Sequence, residues 1–264
     1  MMKEKFGGYR FYCLLLQPKT DKQEIPKNMN MKKTILLLSA VLSPLLCAAQ
    51  VNIQFLYDCA ETPITTVEVY KGDAWGDTYF FIDHYYYFQS LNGHTNIGMD
   101  SYFEFERGLN FWQQTRMRNL SLHVELDFKN SGYGSGMACI GAKYAFHNAS
   151  FSRTAGIALM YDHYIGEGSA DIPLKFTGTW NVENLFGLRG LTFDGFVDVW
   201  GNNTQYVTGQ NKIAYDHFSI HSQPQLWMRI TPNFNLGGEV VLGYNHRGTH
   251  GFLCQPCVGL KWVL

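Results

Sequence analysis

The stretch LSLHVELDF, Leu120 to Phe128, alternates apolar and polar side chains without exception. One face carries Leu120, Leu122, Val124, Leu126 and Phe128, and the other carries Ser121, His123, Glu125 and Asp127. Successive side chains of a β-strand point to opposite faces of the sheet. The stretch therefore predicts a strand with one apolar face and one charged face.

The same two-residue period recurs along most of the chain. The predicted strands are Val51–Asp58, Ile64–Tyr70, Asp77–Phe88, Gly98–Arg107, Leu120–Phe128, Met137–Phe146, Ala155–Tyr164, Leu174–Val182, Leu191–Trp200, Lys212–Ile230, Leu236–Asn245 and Cys254–Leu264. Most are near the roughly 9–11 residues that a tilted membrane-spanning strand requires. An even number of antiparallel strands suits a single-chain barrel. The sequence predicts an all-β fold: a single-domain, up-and-down, antiparallel transmembrane β-barrel of about twelve strands.

The segment before the first strand has the layout of a secretory signal peptide. MKKTILLLSAVLSPLLCAAQ, from Met31, has two lysines, an apolar run and small residues before Gln50. A membrane anchor is the alternative, but the run is shorter than the roughly 20 residues of a spanning helix and contains Pro44. We therefore expect residues 1–30 to be a spurious or unstructured extension, residues 31–49 a cleaved signal peptide, and residues 50–264 the barrel.

The net charge of the processed chain limits the classes of partner that it can bind. Removing residues 1–49 takes eight of the 21 Lys and Arg residues and three of the 22 Asp and Glu residues, leaving 13 basic against 19 acidic side chains. An acidic chain argues against nucleic-acid binding.

The final segment, VGLKWVL, alternates apolar residues in the manner typical of the strand that barrel-assembly machinery reads, with Leu264 in place of the usual terminal Phe. We expect an outer-membrane location, with membrane lipid and the assembly machinery as partners.

Orientation follows from the connections. With the amino terminus inside, the compact segments Gly72–Gly76, His147–Arg153, Glu183–Gly190 and Thr231–Phe234 become periplasmic turns. The somewhat longer, more polar segments Gln89–Ile97, Lys129–Gly136, Ile165–Pro173, Gly201–Asn211 and His246–Leu253 become outward loops.

Charged side chains are predicted to face the lumen, because a charge on the lipid face costs about 2–4 kcal/mol at the midplane. The candidate lining residues are Asp77, Tyr79, Phe81, Asp83, Tyr102, Glu104, Glu106, His123, Glu125, Asp127, Lys143, Lys175, Asp194, Phe196, Asp198, Arg229 and Glu239. These charges can pair into a plug, or they can line a narrow aqueous path. The aromatic rings can stack on flat solutes, or they can simply fill a small barrel.

Four cysteines follow the signal segment, and export to an oxidising compartment permits them to pair. Cys59 ends the first predicted strand, whereas Cys254 and Cys257 open the last, so a bridge from Cys59 to either would staple the seam of a closed barrel. Pairing of Cys254 with Cys257 is the competing arrangement, and Cys139 is expected to be free and buried.

Three segments carry a family resemblance: GDTYFFIDHYYYF (76–88), DSYFEFERGLNF (100–111) and LTFDGFVDVWGN (191–202). They resemble strands of the Tsx-like, nucleoside-specific outer-membrane channel family and its relatives in Bacteroidetes. The resemblance implies a monomeric barrel with a narrow lumen that passes nucleosides or similar small polar solutes. The lining residues it implies are Asp77, Tyr79, Phe81, Asp83, Glu104, Glu106, Phe196 and Asp198.

We therefore predict a passive channel for small polar solutes, with nucleosides as candidates, and neither catalysis, a cofactor nor a bound metal. A barrel enzyme acting on lipid is the first alternative. His123 and Glu125 share a face, but no Ser is placed against a His and acid pair. A closed structural or adhesion barrel is the second alternative, which solute flux would separate from a channel.

Overall fold

The computed structural model describes residues 49–264, apart from residues 61, 92–93, 132, 167, 211 and 248. The predicted extension (1–30) and all but the last residue of the predicted signal peptide (31–49) lie outside the described residues. Both assignments therefore stay predictions.

Thirteen β-strands and one short 3₁₀ turn make up the described secondary structure. The strands are β1 (Gln50–Asp58), β2 (Pro63–Asp73), β3 (Gly76–Leu91), β4 (His94–Leu109), β5 (Leu120–Ser131), β6 (Tyr133–His147), β7 (Arg153–Ile165), β8 (Leu174–Glu183), β9 (Leu191–Val207), β10 (Ile213–Ser222), β11 (Gln225–Arg229), β12 (Phe234–Tyr244) and β13 (Phe252–Val263); the 3₁₀ turn is Leu185–Gly187. The described residues contain no helix with the length and apolar character needed to traverse a bilayer.

The sheet closes on itself. Antiparallel pairing follows the chain order, and β1 pairs with β13 from Asn52 opposite Val263 to Asp58 opposite Cys257. β10 and β11 both lie between β9 and β12, so they are two halves of one spanning strand. The structure confirms the predicted up-and-down barrel of twelve spanning strands.

The two faces of the sheet separate as the alternation predicts. In β5, His123 and Glu125 are only 1% exposed and point inward. Apolar side chains cover the outer surface, among them Phe55, Leu159 and Val258, which are 57%, 58% and 69% exposed. An apolar surface of this extent is suited to lipid rather than to water.

The predicted loop lengths are wrong on two outward connections. β3 runs to Leu91 and β4 starts at His94, whereas β5 runs to Ser131 and β6 starts at Tyr133. Most of the predicted loops Gln89–Ile97 and Lys129–Gly136 is therefore strand, because a hairpin ladder pairs polar residues as well as apolar ones. In contrast, residues 110–119 form a long connection on the side predicted to be periplasmic. The expected asymmetry of loops is absent, and the orientation stays a prediction.

The predicted tenth strand, Lys212–Ile230, is interrupted at Gln223 and Pro224. Proline has no amide hydrogen to give to a ladder, so it breaks the regular pairing. At the break, the backbone N–H of Gln223 donates to the Phe196 carbonyl at 3.2 Å. Gly195 accommodates the break, because its φ is +147° and a Cβ there would collide with the Gln223 carbonyl oxygen.

The four cysteines of the described chain are free thiols, so none of the predicted bridges is formed. Cys254 is exposed and Cys257 is buried, because residues three positions apart on one strand point to opposite faces. A bond between them is therefore ruled out by geometry. Cys59 does lie at the seam, where its amide donates to the Pro256 carbonyl at 3.1 Å. Cys139 is buried.

Candidate functional site

Two cavities occupy the barrel lumen. The inner cavity, of about 420 Å³, lies toward the start of β1 and is lined by Gln50, Asn52 and Asp194 among others. The outer cavity, of about 550 Å³, lies toward the connection between β12 and β13 and is lined by Asn245 and Arg247 among others. Both have the size of small-molecule sites.

Four residues line both cavities and therefore mark the boundary between them, which we call the constriction: Phe81, Asp83, Asp198 and Gln223. Its carboxylates are held in place by hydroxyl groups. Thr66 donates to Asp83 at 2.6 Å, and Thr177 donates to Asp198 at 2.7 Å. The boundary between the two cavities therefore consists of one aromatic ring, two carboxylates and one side-chain amide.

The Gln223 side chain reaches the lumen at the strand break. Its Nε2 donates to Glu239 Oε1 at 3.3 Å, and Glu239 also accepts from Gln225 at 3.2 Å. Gln223 is 7% exposed. The interruption between β10 and β11 thus supplies the neutral polar member of the constriction.

A compact ion-pair group stands on the inner side. Lys143 Nζ lies 3.0 Å from Glu106 Oε2, and His123 Nε2 lies 3.1 Å from the same oxygen. Two basic side chains thereby contact the Glu106 carboxylate and compensate its charge, whereas the buried Nδ1 of His123 has no hydrogen-bond partner within the described residues.

A second lysine has the opposite surroundings. Lys175 Nζ donates to Glu125 Oε1 and lies 3.3 Å from Asp198 Oδ2 and 3.5 Å from Asp127 Oδ2. Oxygens of Glu104, Glu125 and Asp127 all lie within 4.8 Å of one another. We call Glu104, Glu125, Asp127 and Asp198 the carboxylate cluster. It lies beside the constriction, with Glu104 on the inner cavity and Asp127 on the outer.

Aromatic rings run along one wall from cavity to cavity. Tyr79 lines the inner cavity, Phe81 lines both, and Tyr102 lines the outer. The ring centroids are 5.9 Å apart between Tyr79 and Phe81 and 5.6 Å apart between Phe81 and Tyr102. We call these three residues the aromatic track; neighbouring ring planes are tilted by 48° and 47°, so the track is a row of adjoining rings along the wall.

The connection between β12 and β13 folds over the outer cavity. Arg247 donates to the Tyr85 hydroxyl at 2.7 Å and lies over its ring at 5.1 Å. His246 stacks on His221, with centroids 4.2 Å apart, and meets the edge of Trp200 at 5.5 Å. Burial, followed by the charge of Arg247, lowers the pKa of His246 to about 3. His246 is therefore neutral at neutral pH.

Part of the lumen wall is apolar. Met137, Cys139, Ala158 and Met160 are buried together on the inner face of β6 and β7, with Trp200 packed against them. These positions have the inward parity that elsewhere carries charge. They fill one side of the barrel and leave the open space next to β3, β4 and β9.

Most predicted lining residues do line the cavities. The inner cavity contacts Asp77, Tyr79, Glu104, Glu106, Lys143, Asp194, Phe196 and Glu239, the outer contacts Tyr102, Asp127 and Lys175, and Phe81, Asp83 and Asp198 contact both. His123 and Glu125 are buried in the ion-pair groups and contact neither cavity. Arg229 is also outside them, because it lies exposed where β11 ends.

Sequence reasoning missed Gln223, His246 and Arg247. Gln223 is uncharged, but the adjacent Pro224 signals a break in a long predicted strand. His246 and Arg247 fall in a predicted outward loop, and the sequence offers no signal that this loop folds inward.

Comparisons with known proteins agree with the barrel. No curated protein matches the chain. The solved structure titled "NanC porin structure in rhombohedral crystal form" aligns with a TM-score of 0.50 and 13% identity, over 81% of this chain and 100% of that chain. The KdgM porin aligns with a TM-score of 0.44 and 9% identity, over 81% of this chain and 98% of that chain. Outer membrane phospholipase A from Escherichia coli aligns with a TM-score of 0.41 and 11% identity, over 82% of this chain and 96% of that chain.

At 13% identity the likeness to NanC shows the fold alone, an outer-membrane β-barrel. Membership of the Tsx-like nucleoside channels stays a prediction. Residues 52–264 match the family model described as a domain of unknown function (DUF5020), and the chain belongs to that family.

Proposed function

We propose that this protein is a passive outer-membrane channel for small polar solutes, nucleosides among them. The observation that carries the proposal is the pair of lumenal cavities that share the lining residues of the constriction, Phe81, Asp83, Asp198 and Gln223. A packed structural barrel has no need of such cavities. Lipid contacts the apolar outer face, the assembly machinery is the partner during biogenesis, and the role is non-enzymatic.

The lining charge supports passage of neutral or cationic solutes. The acidic lining residues are Glu68, Asp77, Asp83, Asp100, Glu104, Glu106, Asp127, Asp194, Asp198 and Glu239, against the basic residues Lys129, Lys143, Lys175, Arg247 and Lys261. A wall of one prevailing sign concentrates solutes of opposite sign and repels those of the same sign.

The aromatic track supports solutes with a flat face. Tyr79, Phe81 and Tyr102 offer rings on both sides of the constriction. Stacking of a base on an aromatic ring is worth roughly 1–3 kcal/mol in other systems. Nucleosides combine a flat base with hydroxyl groups that can donate hydrogen bonds to the flanking carboxylates. They therefore fit this wall better than sugars do.

Liposome swelling tests the proposal. Proteoliposomes are diluted into an isosmotic solution of a nucleoside or of a sugar of similar mass, and the rate of swelling is measured. Swelling is expected to be faster in the nucleoside. Phe81→Ala removes the ring at the constriction, so sugar entry is expected to rise and the preference for nucleosides to fall. Phe103→Ala is the matched control, because Phe103 follows Tyr102 in β4 and points to the opposite face.

Two outcomes would contradict the proposal. One is the absence of flux from a barrel that still shows heat-modifiable migration in detergent gels. The other is an equal change of flux in the Phe81→Ala and Phe103→Ala variants.

A further inference from the structure

The carboxylate cluster carries more negative charge than its neighbours neutralise. Glu104, Glu125, Asp127 and Asp198 are 8%, 1%, 6% and 6% exposed. Within the described chain, Lys175 is the basic side chain in ion-pair contact with this cluster. Burying a charge is costly unless a partner compensates it. One ammonium for four carboxylates leaves that compensation incomplete.

Strand register imposes this crowding. Glu104 of β4 lies directly opposite Asp127 of β5, and Glu106 lies directly opposite Glu125. Like charges in directly opposed positions destabilise a sheet. Lys143, His123 and Lys175 offset the repulsion between Glu106 and Glu125. Among the described residues, the pair of Glu104 and Asp127 has only the ionic contact of Asp127 with Lys175 at 3.5 Å, which indicates room for a further positive charge.

One oxygen in the cluster is left without a partner. Asp127 Oδ1 is buried and has no hydrogen-bond partner, although Oδ2 faces Lys175. Glu104 is held by the Tyr102 hydroxyl, which donates to its Oε2 at 2.9 Å. A carboxylate oxygen of Asp127 and one of Glu104 lie within 4.8 Å of each other, with a cavity on each side, so the buried oxygen without a partner belongs to a carboxylate of this group.

We propose that Glu104, Asp127 and Glu125 bind a hard divalent cation of the Ca²⁺ type beside the tethered ammonium of Lys175. Ca²⁺ prefers carboxylate oxygens and completes its coordination with water. The adjoining cavities provide room for that water. Because Asp198 belongs both to the cluster and to the constriction, the bound ion lies next to the boundary between the two cavities.

Terbium luminescence tests the site, because Tb³⁺ takes the same oxygen ligands and is sensitised by a nearby tyrosine. Tyr102 is bonded to Glu104 and supplies the sensitiser. Refolded protein in detergent is expected to give saturable Tb³⁺ emission that Ca²⁺ displaces. Asp127→Asn is expected to weaken Tb³⁺ binding at least tenfold. Asp194→Asn, a carboxylate of the inner cavity outside the cluster, is expected to bind as the unmodified protein does.

The proposal is overturned if emission does not saturate, if Ca²⁺ fails to displace Tb³⁺, or if Asp194→Asn loses as much affinity as Asp127→Asn. Should Asp127→Asn lack heat-modifiable migration, Glu104→Gln is tested against the same control. The outcome is separable from channel activity. Saturable Tb³⁺ binding without solute flux contradicts the proposed function alone, and flux without Tb³⁺ binding contradicts the cation site alone.

Discussion

Two of the lysines that line the lumen, Lys143 and Lys175, have opposite surroundings. On the inner side, Lys143 and His123 share the single carboxylate of Glu106, at 3.0 and 3.1 Å. Beside the constriction, Lys175 alone faces the four acids of the carboxylate cluster. The same residue type thus completes a balanced group in one place and leaves an unbalanced one in the other. The balanced group holds the wall together, whereas the unbalanced one retains capacity for a ligand.

Removing each lysine should break this comparison most strongly. Lys175→Met leaves buried carboxylates without their counter-charge, and we expect a loss of about 3–5 kcal/mol in the free energy of unfolding. Lys143→Met leaves Glu106 bonded to His123, so the loss should be smaller, about 1–2 kcal/mol. Urea titration of the refolded barrels measures both. Ca²⁺ in the buffer should restore part of the stability of Lys175→Met only, and equal losses without such rescue would contradict the distinction.

The strand break between β10 and β11, which places Gln223 in the constriction, can be tested at Gly195. Gly195→Ala combines an unfavourable φ of +147° with a collision against the Gln223 carbonyl. We expect it to cost about 1–3 kcal/mol and to displace Gln223 from the constriction. Gly72→Ala is the control, because a Cβ at Gly72 meets nothing within 4 Å. Urea titration and solute flux measure the two effects; unchanged stability and flux in Gly195→Ala would show that Gly195 does not fix the break.

Acidic pH should lower the stability of the barrel through His246, which lines the outer cavity. Burial lowers its pKa to about 3, below its ordinary value of about 6.5. The unfolded chain therefore binds the proton first, and stability that is full above about pH 6.5 is lost as the pH falls toward 3. At pH 5 the loss should be about 1–2 kcal/mol. His246→Phe should show a weaker dependence of the unfolding midpoint between pH 7 and pH 5, and an identical dependence would contradict this role.

The smallest effect is expected at the end of the barrel, at Arg107. Arg107 Nη1 lies 2.8 Å from Asp73 Oδ2, and the two side chains are 21% and 36% exposed. Water screens such a pair, so Arg107→Ala should cost less than about 1 kcal/mol in urea titration and should not respond to Ca²⁺. A loss as large as that of Lys175→Met would remove the contrast between exposed and lumenal pairs.

The alternation of side chains predicts the architecture because lipid penalises any charge on the outer face. That single rule fixes which side of each strand faces the lumen, as LSLHVELDF illustrates in β5. It does not fix where strands end, since the hydrogen-bonded ladder continues through polar residues such as Gln89 and Ser90 in β3 and Lys129–Ser131 in β5. The break at Pro224 was readable in principle, because proline cannot donate to a ladder.

The inward residues follow from parity, but their partners do not. The contact between Lys175 and Glu125 joins residues 50 positions apart, and it depends on how far a lysine reaches across the curved lumen. Parity also fails to distinguish the apolar wall around Met137 and Met160 from the charged wall, because both have the same period. The inward fold of His246 and Arg247 depends on tertiary contacts that no local pattern records.

Single-channel recording in a planar bilayer tests the central claim most directly, namely that the lumen is an acidic passage through the constriction of Phe81, Asp83, Asp198 and Gln223. The recording should show stepwise currents, and under a KCl gradient their reversal potential should indicate selectivity for cations. Asp198→Asn should reduce that selectivity. A folded barrel that passes no current, or one that prefers anions, would contradict it.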